Sequence, residues 1–295
     1  MRFEVMPKID LETVLKKNPF TPSLIKKWRK DIKQYGKGNK ILSELSFILP
    51  DDDMQDLKKS GNNCELHFEV LPQPFLGDPN APIWMLLLNP GYHVIDRYDN
   101  LGYCPLCKKI CCRKGNLHRR QKLLFDQLQF KCQRFFPAFD ESFKESYTLM
   151  DIRNCGIYGW WRKCCFGADK TSRFLMNEEH SEKCSYVGSK IFAIECFPYH
   201  SKKISMSLIK KSKYYNYWRG LVSWAVDNKK YFILRSEKIR QVLSEGDVNL
   251  PDERVVKISN CRNVSLTEGN LIADESNALN QVLRILKPKK KRRIK

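Results

Sequence analysis

The 295-residue sequence has no uninterrupted apolar run of the roughly 18 residues that a membrane-spanning helix requires. Its first residues, MRFEVMPKID, also lack the order of a charged segment followed by an apolar one that is typical of a secretory signal. Both absences predict a globular protein of the cytoplasm that does not enter a membrane. A hydrophobic content of 42% is sufficient for a sizeable core.

Acidic residues are too few to balance the basic ones. The sequence has 33 Asp and Glu residues against 53 Lys and Arg residues, which gives a formal net charge of +20. Such an excess favours a polyanionic partner, because each cation near a phosphate gains free energy by releasing counterions. The chain remains basic without residues 287–295, KPKKKRRIK, which form either a solubilising tail or an arm that grips DNA. We therefore expect DNA as the partner.

Disulfides are not expected for the 12 cysteines, because the sequence shows no export signal. Cys104 and Cys107 have the Cys-x2-Cys spacing that lets two thiolates bind one tetrahedral zinc ion. His180 and Cys184 have helical metal-ligand spacing and complete a predicted structural zinc site. A second Cys-x2-Cys pair is lacking, and reduced thiols without a metal are the alternative. Further candidate ligands near the first pair are Cys111, Cys112 and His118.

The distribution of apolar residues predicts an α/β protein. Residues 1–65 are predicted to be a helical segment, in which Leu11, Val14 and Leu15 recur at helical spacing. Over 66–286, apolar strands alternate with helices, which is typical of a mainly parallel four-stranded sheet covered by helices on both faces. Residues 94–189 are too long for a simple crossover and are predicted to be an inserted, cysteine-rich subdomain. The predicted strands are IWMLLL (83–88) and segments within 190–201, 229–236 and 253–259, with a further strand from Leu66 before a proline-rich loop.

Polar and aromatic residues follow each predicted strand. Ligand sites in parallel sheets lie beyond the carboxyl ends of the strands, so these residues are the candidates for a site. No paired Asp and Glu residues end the strands to hold magnesium, and this disfavours a metal-dependent nuclease. The candidates are Asn89, Gly91, Tyr92 and His93 after the first strand, Glu195 and His200 at the second, Arg235 and Ser236 after the third, and Asn260, Arg262 and Asn263 after the fourth.

This pattern resembles the uracil-DNA glycosylase superfamily over about residues 66–286. A buried strand that ends in Asn89-Pro90-Gly91 after a PFLGDP loop is similar to the first motif of its mismatch-specific and single-strand-selective branches. The second strand ends in AIE, where the superfamily places the residue that reads the edge of the target base. SNCRNVSLTEGN lies where it has its second motif, a loop that enters the duplex. The resemblance implies base flipping and hydrolysis of the N-glycosidic bond, without a cofactor in catalysis.

Two departures from the superfamily bear on the substrate. Ser259-Asn260-Cys261 replaces the usual His-Pro-Ser or Asn-Pro-Ser, and Glu195 stands where uracil-reading members carry Asn. A carboxylate accepts from the N4 amino group of cytosine but is repelled by O4 of uracil. A modified cytosine is therefore the expected substrate, as in the prokaryotic antiviral members that remove glucosylated hydroxymethylcytosine from phage DNA. A salt-bridged glutamate at a strand end is the alternative for Glu195.

The resemblance also implies roles for the other candidates. Asn89 is expected to position the hydrolytic water, although a turn with a hydrogen-bonded Asn explains the same residues. Some branches of the superfamily carry an iron–sulfur cluster, which is an alternative to zinc. The second function considered is a non-catalytic nucleic-acid-binding protein with a structural zinc site. The expected roles are catalysis for Asn89 and Asn260, base binding for Gly91, Tyr92, His93, Glu195 and His200, DNA contact for Trp160, Trp161, Arg162, Arg262 and Asn263, and insertion into the duplex for Val264 or Leu266.

Overall fold

A computed structural model describes residues 10–36, 66–67, 72–91, 186–201, 203–260 and 265–287. Their centre is a six-stranded sheet with the strand order β1-β3-β2-β4-β5-β6. The inner four strands are parallel, and the two strands at the edges run antiparallel to their neighbours. The strands are β1 (Phe75–Leu76), β2 (Ile83–Leu87), β3 (Ile191–Glu195), β4 (Tyr231–Leu234), β5 (Val255–Ile258) and β6 (Leu271–Ile272).

The predicted α/β class with a parallel core is confirmed, but the predicted number of strands is wrong. The added strands, β1 and β6, have only two residues each. So short a strand has no hydrophobic periodicity, and it exists only because β3 and β5 offer backbone partners. Only residues 66–67 of the strand predicted from Leu66 lie in the described part of the chain, and there Leu66 forms an isolated bridge with Ser201.

Both faces of the sheet are apolar, which explains the continuous hydrophobic runs in the sequence. Trp84 and Leu86 of β2 belong to one hydrophobic cluster, and its other three residues belong to a second. Because successive side chains of a strand point to opposite faces, the two clusters lie on the two faces of the sheet. We call them the first face and the second face.

Helices cover both faces. The first face is covered by apolar residues of α1, α3, α4 and α5, and the second by α6 and the helical residues around Val187. Serine side chains cap the beginnings of α3, α4 and α5 by accepting hydrogen bonds from backbone N–H groups. The helices are α1 (Leu11–Lys16), α2 (Pro22–Gly36), α3 (Met206–Lys211), α4 (Lys213–Asp227), α5 (Glu237–Ser244) and α6 (Ser276–Leu286), and a short 3-10 helix covers Asp252–Arg254.

The aromatic residues of α4 belong to the core. Tyr217, Leu221 and Trp224 are all buried under the first face, as helical spacing predicts for a core-facing stripe. Val14 of α1 is buried in the same cluster. None of the helices in the described ranges is long and apolar enough to cross a bilayer.

The loop before β2 is fixed by core side chains. Gly77 has a φ of 98°, a left-handed conformation that glycine adopts without strain. The Trp84 indole Nε1 donates to the Pro79 carbonyl oxygen at 3.2 Å, and the Tyr214 hydroxyl donates to that of Pro74 at 3.3 Å. These bonds hold the PFLGDP segment against the sheet.

The strand order places a switch point beside β2. From β2 the chain continues to β3 on one side of it and then crosses to β4 on the other side. In open parallel sheets the crevice at such a reversal, outside the carboxyl ends of the strands, is the usual ligand site. The residues that follow β2, β3 and β4 therefore lie where a ligand site is expected.

Candidate functional site at the carboxyl edge of the sheet

The segments that follow β2 and β3 are joined by backbone hydrogen bonds. Cys196 N–H donates to the Leu87 carbonyl oxygen at 2.7 Å, and Phe197 N–H donates to that of Leu88 at 2.8 Å. Ser201 N–H donates to the Pro90 carbonyl oxygen at 3.4 Å. Residues 88–91 and 196–201 thus form one layer at the carboxyl edge of the sheet.

Asn89 is fixed in this layer by its amide nitrogen. Nδ2 lies 3.0 Å from the Pro90 carbonyl oxygen and 3.0 Å from both the carbonyl oxygen and Oγ of Ser201. Within the described part of the chain, Oδ1 of Asn89 accepts no hydrogen bond. The side chain is half-buried, so its acceptor oxygen is held in one orientation at the rim of the sheet. An acceptor oxygen fixed in this way is able to accept a hydrogen bond from a ligand or a water molecule.

Gly91 and His200 also meet in this layer. His200 is buried, and its Nδ1–H donates to the Gly91 carbonyl oxygen at 2.7 Å. The imidazole of His200, which was predicted to bind the base, is thus hydrogen-bonded to the backbone after β2. Gly91 is exposed, and a Cβ added there would meet no described atom within 4 Å. No described neighbour therefore requires glycine at this position.

Glu195 and Arg235 lie in one row across the sheet. Leu87 of β2 pairs with Glu195 of β3, and Leu86 pairs with Leu234 of β4, so Arg235 follows in register on the other side of Leu87. Neighbouring strands are about 4.8 Å apart, so the backbones of Glu195 and Arg235 lie about 10 Å apart on either side of Leu87. Leu87 belongs to the cluster of the second face, and residues in one row share a face.

Burial changes the protonation of Glu195. The residue is 9% exposed, and its Oε2 has no hydrogen-bond partner among the described residues. Burial raises the pKa of the Glu195 carboxyl from 4.5 to about 8, against the positive charge of Arg235, which lowers it. Glu195 is therefore protonated at neutral pH and offers both an O–H donor and a carbonyl acceptor. The acceptor-only carboxylate assumed from the sequence is the form present above about pH 8.

The neighbours of Glu195 are neutral groups. Burial raises the pKa of the Cys196 thiol, and Glu195 raises it further. Burial likewise raises the pKa of Tyr214 of α4, with a smaller contribution from Glu195. Cys196 is a free, buried thiol. Among the described residues whose charge acts on Glu195, Arg235 is therefore the charged one.

The loop after β5 is organised by Asn270. Asn270 is buried, its Oδ1 accepts from Asn260 N–H at 3.3 Å and from Ser259 Oγ–H at 3.2 Å, and its Nδ2 donates to the Ser265 carbonyl oxygen at 3.0 Å. Asn260 itself is exposed and lies two residues beyond the end of β5. Leu266 is buried in the second-face cluster, so its expected role as a wedge is wrong.

The remaining predicted residues lie outside the described part of the chain. In the part that is described, no group of three or more His, Cys, Asp and Glu residues is arranged to hold a metal ion. The zinc site, with the iron–sulfur cluster as its alternative, stays a prediction. The residues concerned are Tyr92, His93, Cys104, Cys107, Cys111, Cys112, His118, Trp160, Trp161, Arg162, His180, Cys184, Arg262, Asn263 and Val264.

Three residues of the site were not assigned a role from the sequence. Arg235 was recognised as following a strand, but only the strand order shows that it flanks Leu87 opposite Glu195. Ser201 and Asn270 carry no motif, and their contacts depend on tertiary structure. For Arg235, the sequence offers one signal of a place in the site, which is a basic residue directly after an apolar strand.

Comparison with known proteins adds no assignment to these residues. No protein-family model matches the chain, no curated protein is significantly similar to it, and no solved structure matches it significantly.

Proposed function

We propose that this protein is a monofunctional DNA glycosylase that flips out a base and hydrolyses its N-glycosidic bond to leave an abasic site. The observation that carries the proposal is the fixed amide of Asn89 at the switch point, next to the row that holds Glu195. The first-motif resemblance of Asn89-Pro90-Gly91 supports the same reaction. We further propose a modified cytosine, such as glucosylated hydroxymethylcytosine in phage DNA, as the base.

The reaction requires a placed water and hydrogen bonds to the departing base. Cleavage of the C–N bond develops positive charge on the sugar and negative charge on the base. Oδ1 of Asn89 accepts from a water whose oxygen then attacks C1′ of the flipped nucleotide. An amide is a poor general base, so Asn89 acts by orienting this water.

Glu195 supplies the hydrogen bonds to the base. A neutral carboxyl donates from its O–H and accepts at its carbonyl oxygen, and cytosine offers an acceptor at N3 beside the N4 donor. Uracil also offers one donor and one acceptor on this edge, so a neutral Glu195 does not by itself separate the two bases. Selection of a modified cytosine therefore requires further contacts with the group attached to its ring.

The formal charge of +20 supports DNA as the partner. Lys203, close to Ser201 along the chain, is exposed near the Asn89 layer and is suited to a phosphate contact. Arg235 follows β4 at the same edge. These cations place positive charge beside the proposed base-binding residues.

Substitution of Asn89 tests the proposed reaction. Asn89→Ala removes the oxygen that orients water, so we expect base release to be abolished while DNA binding stays nearly intact. Base release is measured as abasic sites formed in oligonucleotides that contain cytosine, uracil or glucosylated hydroxymethylcytosine. Asn80→Ala is the matched control, because Asn80 is exposed before the start of β2, at the opposite end of the same strand.

The outcomes separate the candidate functions. A wild-type protein that binds DNA without releasing any base indicates the non-catalytic nucleic-acid-binding protein. Base release that survives Asn89→Ala contradicts the proposed role of this amide. Preferential release of uracil rejects the modified cytosine as substrate but not the glycosylase reaction.

A further inference from the structure

Glu195 and Arg235 form a pair whose charge depends on one proton. Arg235 lies on the other side of Leu87 in the same row of the sheet, near enough for its charge to act on the Glu195 carboxyl. Among the described residues, the other titratable groups that interact with Glu195 are Cys196 beside it and Tyr214 of α4. Burial keeps both of these neutral at neutral pH, so Arg235 is the charged neighbour.

No residue in the described part of the chain is hydrogen-bonded to Oε2 of Glu195. Oε2 is buried, and a buried polar atom normally has a partner. The residue is 9% exposed and is the last residue of β3, at the carboxyl edge of the sheet. A buried acid that lies at this edge and is protonated at neutral pH has the properties of a proton donor.

We propose that Glu195 is a catalytic acid that gives its proton to the departing base, and that Arg235 stabilises the carboxylate left behind. This inference rests on the proposed glycosylase function. It adds a step to the hydrogen bonding described above, in which Glu195 only binds the base. Arg235 is a positioning and electrostatic residue that acts through Glu195.

The step balances in protons and electrons. The electron pair of the C1′–N bond goes to the base, which receives the proton of Glu195 on its hydrogen-bonded edge and leaves neutral. The water held by Asn89 adds its oxygen to C1′ and releases a proton to solvent, and the carboxylate of Glu195 regains one from solvent. During the step the Glu195–Arg235 pair changes from one net positive charge to none, and the positive charge of Arg235 offsets part of the cost of a buried carboxylate.

Single-turnover base release between pH 6 and pH 10 tests this inference on whichever of the three oligonucleotides the wild-type protein acts upon. We expect a rate constant that is level below about pH 8 and falls about tenfold per pH unit above it, since one proton is lost there. Glu195→Gln should be slower by about 10²-fold or more at pH 7 and should lack this descending limb. Glu12→Gln, an exposed substitution on α1, is the matched control and should keep the wild-type profile.

Substitution of Arg235 gives a readout that a merely structural role would not change. Because Arg235 lowers the pKa of Glu195, Arg235→Met should move the descending limb to higher pH while lowering the maximal rate. Infrared titration of the carboxyl band, compared between wild type and Glu195→Gln, follows the same proton without relying on activity. Loss of the protonated band below pH 6 would overturn the inference.

The remaining outcomes distinguish this inference from the function on which it rests. Wild-type rate and pH dependence in Glu195→Gln overturn the proton donor alone and leave the glycosylase reaction standing. If the rate constant of Arg235→Met falls over the same pH range as that of the wild type, the proposed electrostatic role of Arg235 is overturned. No base release by the wild-type protein at any pH contradicts both the proposed function and the proton donor.

Discussion

Single residues at the carboxyl edge combine a fixed amide with a buried acid. The amide nitrogen of Asn89 donates hydrogen bonds to Ser201 and Pro90. These bonds fix the orientation of the amide oxygen. Burial keeps the Glu195 carboxyl neutral by raising its pKa, and the positive charge of Arg235 makes this rise in pKa smaller. The same acid that is useful for a proton transfer should also make folding dependent on pH.

The free energy of unfolding should fall with pH because of Glu195. Its pKa is raised in the folded state from 4.5 to about 8, so between these values the folded state binds more protons than the unfolded state. The contribution of Glu195 is fully present below the unfolded pKa and decreases as pH rises towards the folded pKa, by about 1.4 kcal/mol per pH unit. Glu195→Gln removes this pH-dependent contribution to the free energy of unfolding.

Urea unfolding at pH 5 and pH 8 measures the effect as a difference between variant and wild type. The stability of Glu195→Gln relative to wild type should be greater at pH 8 than at pH 5. Glu12→Gln should show little change in this difference, because Glu12 is exposed in both the folded and unfolded chains. A difference for Glu195→Gln that is constant across this range would contradict the raised pKa.

At the scale of elements, short strands and loops complete a sheet whose centre is formed by longer ones. β5 and β6 pair through Lys257–Ile272 and Ile258–Leu271, and the loop between them carries Asn260. Asn270 connects the two ends of this loop through its side-chain amide. One buried side chain therefore holds Ser259, Asn260 and Ser265, which flank the residues predicted from the sequence to contact DNA.

Asn270→Ala should destabilise the protein and disturb this loop. It leaves Asn260 N–H and the Ser265 carbonyl without their partner, and an unsatisfied buried polar group costs about 1–3 kcal/mol. We expect a loss of that size in the free energy of unfolding by urea. Base release should decrease as well, because Asn260 is no longer held.

Asn228→Ala is the matched control for this loop. Its side chain makes a single local bond, from Nδ2 to the Trp224 carbonyl oxygen at 2.8 Å, at the end of α4. We expect a smaller loss of stability and unchanged base release. Equal effects of the two substitutions on base release would show that the Asn270 contacts do not position the loop.

At the scale of the whole molecule, the excess of positive charge is the feature on which the proposed binding of DNA depends. Counterion release makes such binding strongly dependent on salt and largely independent of sequence. Under the proposed function, hydrogen bonds at the carboxyl edge act only after a base has been flipped. Affinity for DNA and recognition of the base are therefore expected to respond to different changes.

Affinity for a duplex oligonucleotide should fall by about 10³-fold or more between 50 mM and 200 mM salt if six or more phosphates are contacted. A chain that ends at Lys287 retains α6 and its last backbone bond, from Lys287 N–H to the Leu283 carbonyl oxygen, but lacks most of the basic tail. A shallower salt dependence in this variant identifies the tail as a DNA-binding arm, and an unchanged one identifies it as a solubilising tail. Affinity of the full chain that does not change with salt would contradict phosphate contact.

Helices and strands with strong patterns were predictable from the sequence. β2 and β3 appear as continuous apolar runs because both of their faces are buried, and Tyr217, Leu221 and Trp224 of α4 have the helical spacing of a buried stripe. Capping serines before α3, α4 and α5 provide the local start signals. β1 and β6 were missed because two residues contain no pattern, and their pairing partners are remote in sequence.

The sequence by itself determined the parallel α/β core, the strong positive charge and the polar residues that follow each strand, because hydrophobic periodicity and composition are local properties of the chain. Tertiary structure alone decided that Arg235 and Glu195 lie on either side of Leu87, that Ser201 fixes the Asn89 amide and that burial raises the pKa of Glu195. Strand order and burial decide these matters, and both arise from contacts between residues that are far apart along the chain.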